Sequence, residues 1–131
     1  YEIPYTVCHE LAHLKGWIRE DEAGFIAYLA CRESQEPALQ YSGTLNALSY
    51  AMSALYSAGR LESYARIYDS LPEQAKIDYR ASNRYWEQFE TRVAEVSTSL
   101  NDSYLKANAQ SDGVQSYGRM VDLLLAERRS R

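Results

Sequence analysis

Apolar residues recur along this chain at spacings of three and four, and no stretch alternates steadily between apolar and polar residues, so the pattern predicts an all-α domain. A first helix is expected from about Thr6 to Lys15, with Pro4 before it, Thr6 as its cap and Gly16 in the left-handed conformation that ends it. A second is expected from the acidic cluster Glu20-Asp21-Glu22, through Phe25, Ile26, Leu29 and Ala30, to about Arg32, because carboxylates favour a helix N-terminus. Pro37 opens a third, from about Ala38 to Ala58 and closed by Gly59. A fourth spans Leu61 to Leu71, and Pro72 starts a fifth. From Glu73 to Asn108 the sequence is helix-permissive, with breaks expected at Ala81-Ser82-Asn83 and from Thr98 to Asp102. The stretch from Ala109 to Gly113 reads as a loop. Tyr117 to Arg128 reads as a last helix with Met120, Val121, Leu123, Leu124 and Leu125 turned inward, followed by a frayed, solvated end at Arg128 to Arg131.

Composition narrows the class. The 131 residues are 46% hydrophobic, enough for one self-contained domain with a real core. Fourteen Lys and Arg against eighteen Asp and Glu give a net charge of −4, so nucleic acid is not an expected partner. No apolar run approaches the roughly 20 residues that cross a bilayer, and the chain as given is expected to be soluble. Cys8 and Cys31 are too few for a disulfide framework or a multi-cysteine zinc cluster; the two could pair between neighbouring helices, and a reducing compartment leaves both free. The chain holds only two histidines.

Both fall in one pentapeptide, His9-Glu10-Leu11-Ala12-His13. On a helix, residues four apart lie one above the other, so both imidazoles point into the same space and can share one metal ion. Glu10 stands beside them, placed to take a proton from a metal-bound water as general base and return it to the leaving group. Zn2+ suits this arrangement, since a catalytic zinc takes three protein ligands and keeps one position open for water. Two histidines and a glutamate fall into this spacing by chance with odds of roughly one in a thousand. The plain alternative is a pair of surface histidines on an amphipathic helix.

No third histidine exists to complete the site. Three residues beyond Gly16, where metzincins place their next ligand, stands Arg19, which cannot bind zinc. Carboxylates follow at once in Glu20, Asp21 and Glu22, and a Glu ligand gives a gluzincin-type site. The run Glu20-Asp21-Glu22-Ala23-Gly24-Phe25 resembles the segment that supplies the third zinc ligand in HtpX-like membrane proteases and in small ImmA/IrrE-type gluzincins. In those patterns the ligand lies three positions before the Ala, which implies Glu20, with Glu22 as rival. Gly24 departs from the Asp or Asn usual there, so a hydrogen bond supporting the ligands is missing or is made by another group.

A broader likeness covers essentially the whole chain. HELAHLKGWIREDEAGFIAYLAC, YSGTLNALSYAMSALY, NRYWEQFE and NDSYLKANAQSDGVQSYGRMVDLLLAE together resemble the C-terminal region of a bacterial family of unknown function, whose members carry transmembrane helices upstream of a HELAH motif. The resemblance implies a fragment of a membrane-anchored bacterial protein, with weak or no peptidase activity on its own. Among weaker signals, Tyr104, Tyr117 and Arg119 are candidates for stabilising an oxyanion opposite the zinc, although any of twelve tyrosines is more simply a packing residue. Trp17 and Trp86 read as core or rim aromatics, with Trp17 edging the metal cleft. The segment Ala47 to Pro72 is faintly similar to one tetratricopeptide-like repeat and reads better as an αα-hairpin packed on the motif helix. The expected function is a zinc metallopeptidase acting on a peptide or protein substrate, with His9, His13 and Glu20 as ligands. A non-catalytic helical protein-binding module with a structural metal is the alternative.

Overall fold

The computed structural model describes residues 1–87 and 119–131, and the described residues hold helices and no strand. In chain order these are α1 (Glu2–Leu14), α2 (Glu20–Glu33), α3 (Pro37–Ser57), α4 (Leu61–Ser70), α5 (Glu73–Glu87) and α6 (Arg119–Arg129). The predicted all-α class is what folds. Chain contacts divide it into two compact units, one of Tyr1–Gly59 with Gln115–Arg131 and the other of Arg60–Val114.

In the first unit α2 is the central helix, packed against α1, α3 and α6, while α3 also packs against α1 and α6. The reason lies in its small residues. Ala23, Ala27 and Cys31, at helical spacing on one face, are wholly buried and let neighbouring backbones come close. The closest approach is at Gly43 of α3, where an added Cβ would overlap Cys31 Cβ. Tyr5, Ala27, Cys31, Ala47 and Met120 form the core, with Phe25, Tyr28, Leu39, Tyr50 and Leu124 packed around it. Cys8 and Cys31 are free thiols with their sulfurs 3.8 Å apart. Burial, followed by the hydrogen bond to Cys8, pushes the Cys31 thiol up to about 12.

Helix α1 begins four residues earlier than expected, and Thr6 is not its cap. Pro4 sits inside the first turn, where its missing N–H costs nothing. Ser42 of α3 reaches across to that turn: its hydroxyl accepts from the Tyr5 N–H at 3.0 Å and donates to the Tyr1 carbonyl. The Thr6 hydroxyl instead donates back to Glu2 O at 3.1 Å. Tertiary contact therefore supplies the cap that the local sequence was expected to supply. The other end follows expectation, with Gly16 at φ +99°. Gly16 N–H bonds His13 O at 2.9 Å and Trp17 N–H bonds Ala12 O at 3.2 Å, the paired bonds of a Schellman motif.

Helices α2, α3 and α4 lie within a residue or so of their expected bounds, and Gly59 follows α3 at φ +68°. In the second unit, α5 runs unbroken through Ala81-Ser82-Asn83 to Glu87. Ser and Asn weaken a helix by only about half a kcal/mol each, and no Gly or Pro is present to stop it. Tyr64 stacks on Tyr68, whose ring meets Tyr79 of α5 edge-on, while Lys76 donates to Asp69 O at 2.9 Å. Trp86 is exposed and meets Tyr85 edge-on, so it is not a core residue. The expected break at 98–102 and the loop at 109–113 lie outside the described residues.

On α6, Met120 is buried and Leu124 packs on the core, but Leu125 is exposed. Five nearly consecutive residues point around the whole circumference of a helix, so they cannot all face inward. The chain end is helical to Arg129, and Glu127 accepts from Arg32 of α2 at 2.8 Å and from Arg131 at 2.6 Å. Among the described residues no helix is long and apolar enough to cross a membrane.

Candidate metal centre

The Schellman turn that ends α1 also prepares the site. It carries the Trp17 carbonyl back over the last turn, where His13 Nδ1 donates to it at 2.7 Å. The Trp17 carbonyl holds a proton on Nδ1 and leaves Nε2 as the ring nitrogen that faces the cluster, the orientation that a metal ligand requires. The α1–α2 connection then continues to Arg19, extended at φ −77° and ψ 133°, the residue that caps α2. Its guanidinium grips Asp21 through two bonds, Nη2–Oδ2 at 2.7 Å and Nε–Oδ1 at 3.2 Å, and lies 3.5 Å from Glu22. Asp21 is 4% exposed. The sequence places Asp21 as a favourable charge at a helix N-terminus, and it stands in the first turn of α2. It is a buried clamp, and the basic residue two positions before it was the available signal.

With its neighbours held in this way, Glu20 turns toward α1. Its Oε2 lies 3.1 Å from His9 Nε2 and its Oε1 3.5 Å from His13 Nε2, and the two Nε2 atoms are 3.1 Å apart. One ligand atom from each of the three residues falls within 4.8 Å of the others. Two ligand atoms each about 2.0–2.1 Å from a tetrahedral zinc stand roughly 3.3 Å apart, close to the Nε2–Nε2 and His9 Nε2–Glu20 Oε2 separations. The chemistry of the donor set also fits, two imidazoles and one carboxylate. The His9 hydrogen bond holds the Glu20 carboxyl below the usual carboxylate range against the opposing effect of burial, and the two histidines add to the lowering. It is therefore ionised and able to ligate.

The rival Glu22 points to Arg19 instead. Glu10 is exposed on α1, about 100° around the helix from His9 and between the histidine face and an apolar stripe. Ile3, Val7, Leu11 and Leu14 form that stripe, all at least half exposed, and Trp17 and Ile18 after the helix end are exposed as well. Trp17 is accordingly not a core residue. Arg119 is exposed at the first position of α6, while Tyr104 and Tyr117 lie outside the described residues.

Fold and cluster together define a helical protein with a ready-made His-His-Glu constellation on two packed helices. Residues 1–125 match the family model described as "Protein of unknown function (DUF3810)", and the chain belongs to that family. Neither the curated proteins nor the solved structures contain a match to it.

Proposed function

We propose that this protein is a zinc-dependent peptidase of gluzincin type, with His9, His13 and Glu20 holding the metal and Glu10 acting as general base. The observation that carries the reading is the convergence of the three donor atoms beside an HExxH glutamate that makes no ligand contact of its own. A zinc ion bound there supplies Lewis acidity toward a peptide carbonyl and acidifies water. The chain's own groups do the rest. Glu10, open to solvent, takes a proton from the attacking water and delivers it to the departing amine. Trp17 O fixes the His13 tautomer, and the Arg19–Asp21 clamp fixes the start of the helix that carries Glu20. The apolar stripe next to Glu10 offers a surface for apolar substrate side chains. Membrane anchoring of a bacterial parent belongs to the same reading and rests on the family resemblance.

The test separates binding from chemistry. Untagged protein should hold one zinc per chain by elemental mass spectrometry, and His9→Ala, His13→Ala and Glu20→Gln should each lose it. Glu10→Gln should keep zinc and lose hydrolysis of a casein or peptide-library substrate by about 100-fold or more. Zinc-free native protein would sink the proposal. The exposed stripe on α1 supports a second reading, a binding module with a structural metal. Full-length protein that holds zinc, cleaves nothing, and captures a partner lost on Leu11→Asp substitution would favour it.

A further inference from the structure

His9 meets the cluster through Nε2, and its other ring nitrogen is buried without a hydrogen-bond partner, the one buried side-chain nitrogen or oxygen in that condition among the described residues. A neutral histidine that gives Nε2 to a metal must carry its proton on Nδ1. A buried N–H left without an acceptor costs about 1–3 kcal/mol and lets the ring drift. An acceptor stands nearby. Around the point where a Cβ on Gly24 would sit, Tyr5 Oη lies at 3.0 Å, Met120 Sδ at 3.4 Å and His9 Nδ1 at 3.9 Å. Helices α1, α2 and α6 thus bring a phenol, a thioether and the orphaned imidazole nitrogen to one small volume, which exists because residue 24 has no side chain.

The phenol is prepared for this part. Tyr5 is buried and donates to Gly24 O at 3.0 Å, with Met120 Sδ at 3.7 Å as a weaker neighbour, and its hydroxyl also shares a hydrogen bond with Tyr50. Burial, then the charge and hydrogen bond of Tyr50, raises its ionisation far above the ordinary range, so the oxygen stays a neutral hydroxyl, which carries two lone pairs for these partners and His9 to share.

We infer that Tyr5 is a positioning residue for the metal site, its hydroxyl accepting from His9 Nδ1–H when Nε2 binds the ion and passing the polarity on to the Gly24 carbonyl. This rests on the metal-site reading above. It accounts for the glycine at position 24: a side chain there would occupy the space between the phenol and the imidazole nitrogen. In this role the phenol takes the place of the carboxylate that supports a ligating histidine in other metal sites.

The experiment uses zinc as the probe and reads affinity by chelator competition, with 15N-labelled histidine followed by NMR. In the zinc form of the wild type, His9 should show a slowly exchanging Nδ1–H with the shift of a hydrogen-bonded imidazole. Tyr5→Phe should retain its helical circular dichroism, bind zinc about 10- to 100-fold more weakly, and lose that protected proton. Met120→Leu, which alters packing in the same place but leaves the hydroxyl, should bind zinc as the wild type does. A wild-type His9 Nδ1–H that exchanges freely overturns the inference even if Tyr5→Phe does not fold. Equal weakening by Tyr5→Phe and Met120→Leu also overturns it, because packing would then explain the loss. Wild-type protein that binds no zinc removes the metal reading itself, an outcome distinct from both.

Discussion

At the scale of single residues, the His9, His13 and Glu20 cluster is held in place by groups outside it. Asp21 is the sharpest case, a carboxylate buried at the start of α2 and matched by both arms of Arg19. Replacing Arg19 with Met leaves that charge without its partner, and stability should fall by about 1.5–3 kcal/mol. The lower half of that range is expected, because the Arg19 side chain is itself 33% exposed and water screens the pair. Urea denaturation at neutral pH measures the loss, and Arg19→Met with Asp21→Asn should recover much of it. A single change at Arg19 with no effect on the midpoint would show that the clamp holds nothing. The pairing of His9 with His13 was legible from spacing alone, since i and i+4 on a helix share a face whatever surrounds them. The contacts of Trp17 O, Arg19 and Tyr5 were not, because a backbone carbonyl, an arginine at a helix start and a core tyrosine have no spacing signature.

At the scale of elements, close crossing of helices decides more than their intrinsic preferences do. In an isolated helix Gly43→Ala would stabilise by about 0.5–1 kcal/mol. Here the new methyl would overlap Cys31 Cβ, an atom fixed to the α2 backbone that cannot swing aside. The two helices must separate, so a net loss of about 1–3 kcal/mol and a lower melting temperature are expected, with the thermal unfolding curve as the measure. An unchanged or raised melting temperature would mean that the α2–α3 contact is looser than it looks. Caps show the same dependence on context. Gly16 was readable as a stop because a left-handed residue after a helix is a local matter, whereas α1 starts where Ser42 of another helix meets its first turn.

At the scale of the molecule, the first unit is gathered around α2, on which α1 and α6 both pack. Glu127 ties α6 to Arg32 of α2, and Arg32, followed by Arg131, holds its carboxyl below the ordinary value of 4.5. A carboxyl lowered in the folded state contributes stability that is present above the ordinary value and is lost as pH falls through the lowered one. Glu127→Gln should therefore be less stable than the wild type at neutral pH, and the difference should close in acid; melting curves from pH 7 down to pH 3 check it. A gap as wide at pH 3 as at pH 7 would show that the pairing is not its source. By itself the sequence determined the helical class, most helix bounds and the two histidines with their glutamate, because these follow from periodicity, punctuation and i, i+4 geometry within single helices. Only the tertiary structure decided that Glu20 and not Glu22 reaches the histidines, that Asp21 is buried, and that Tyr5 and Gly24 stand behind His9. Those outcomes depend on how α2 packs against α1, a relation between two helices that the periodicity within either one does not carry.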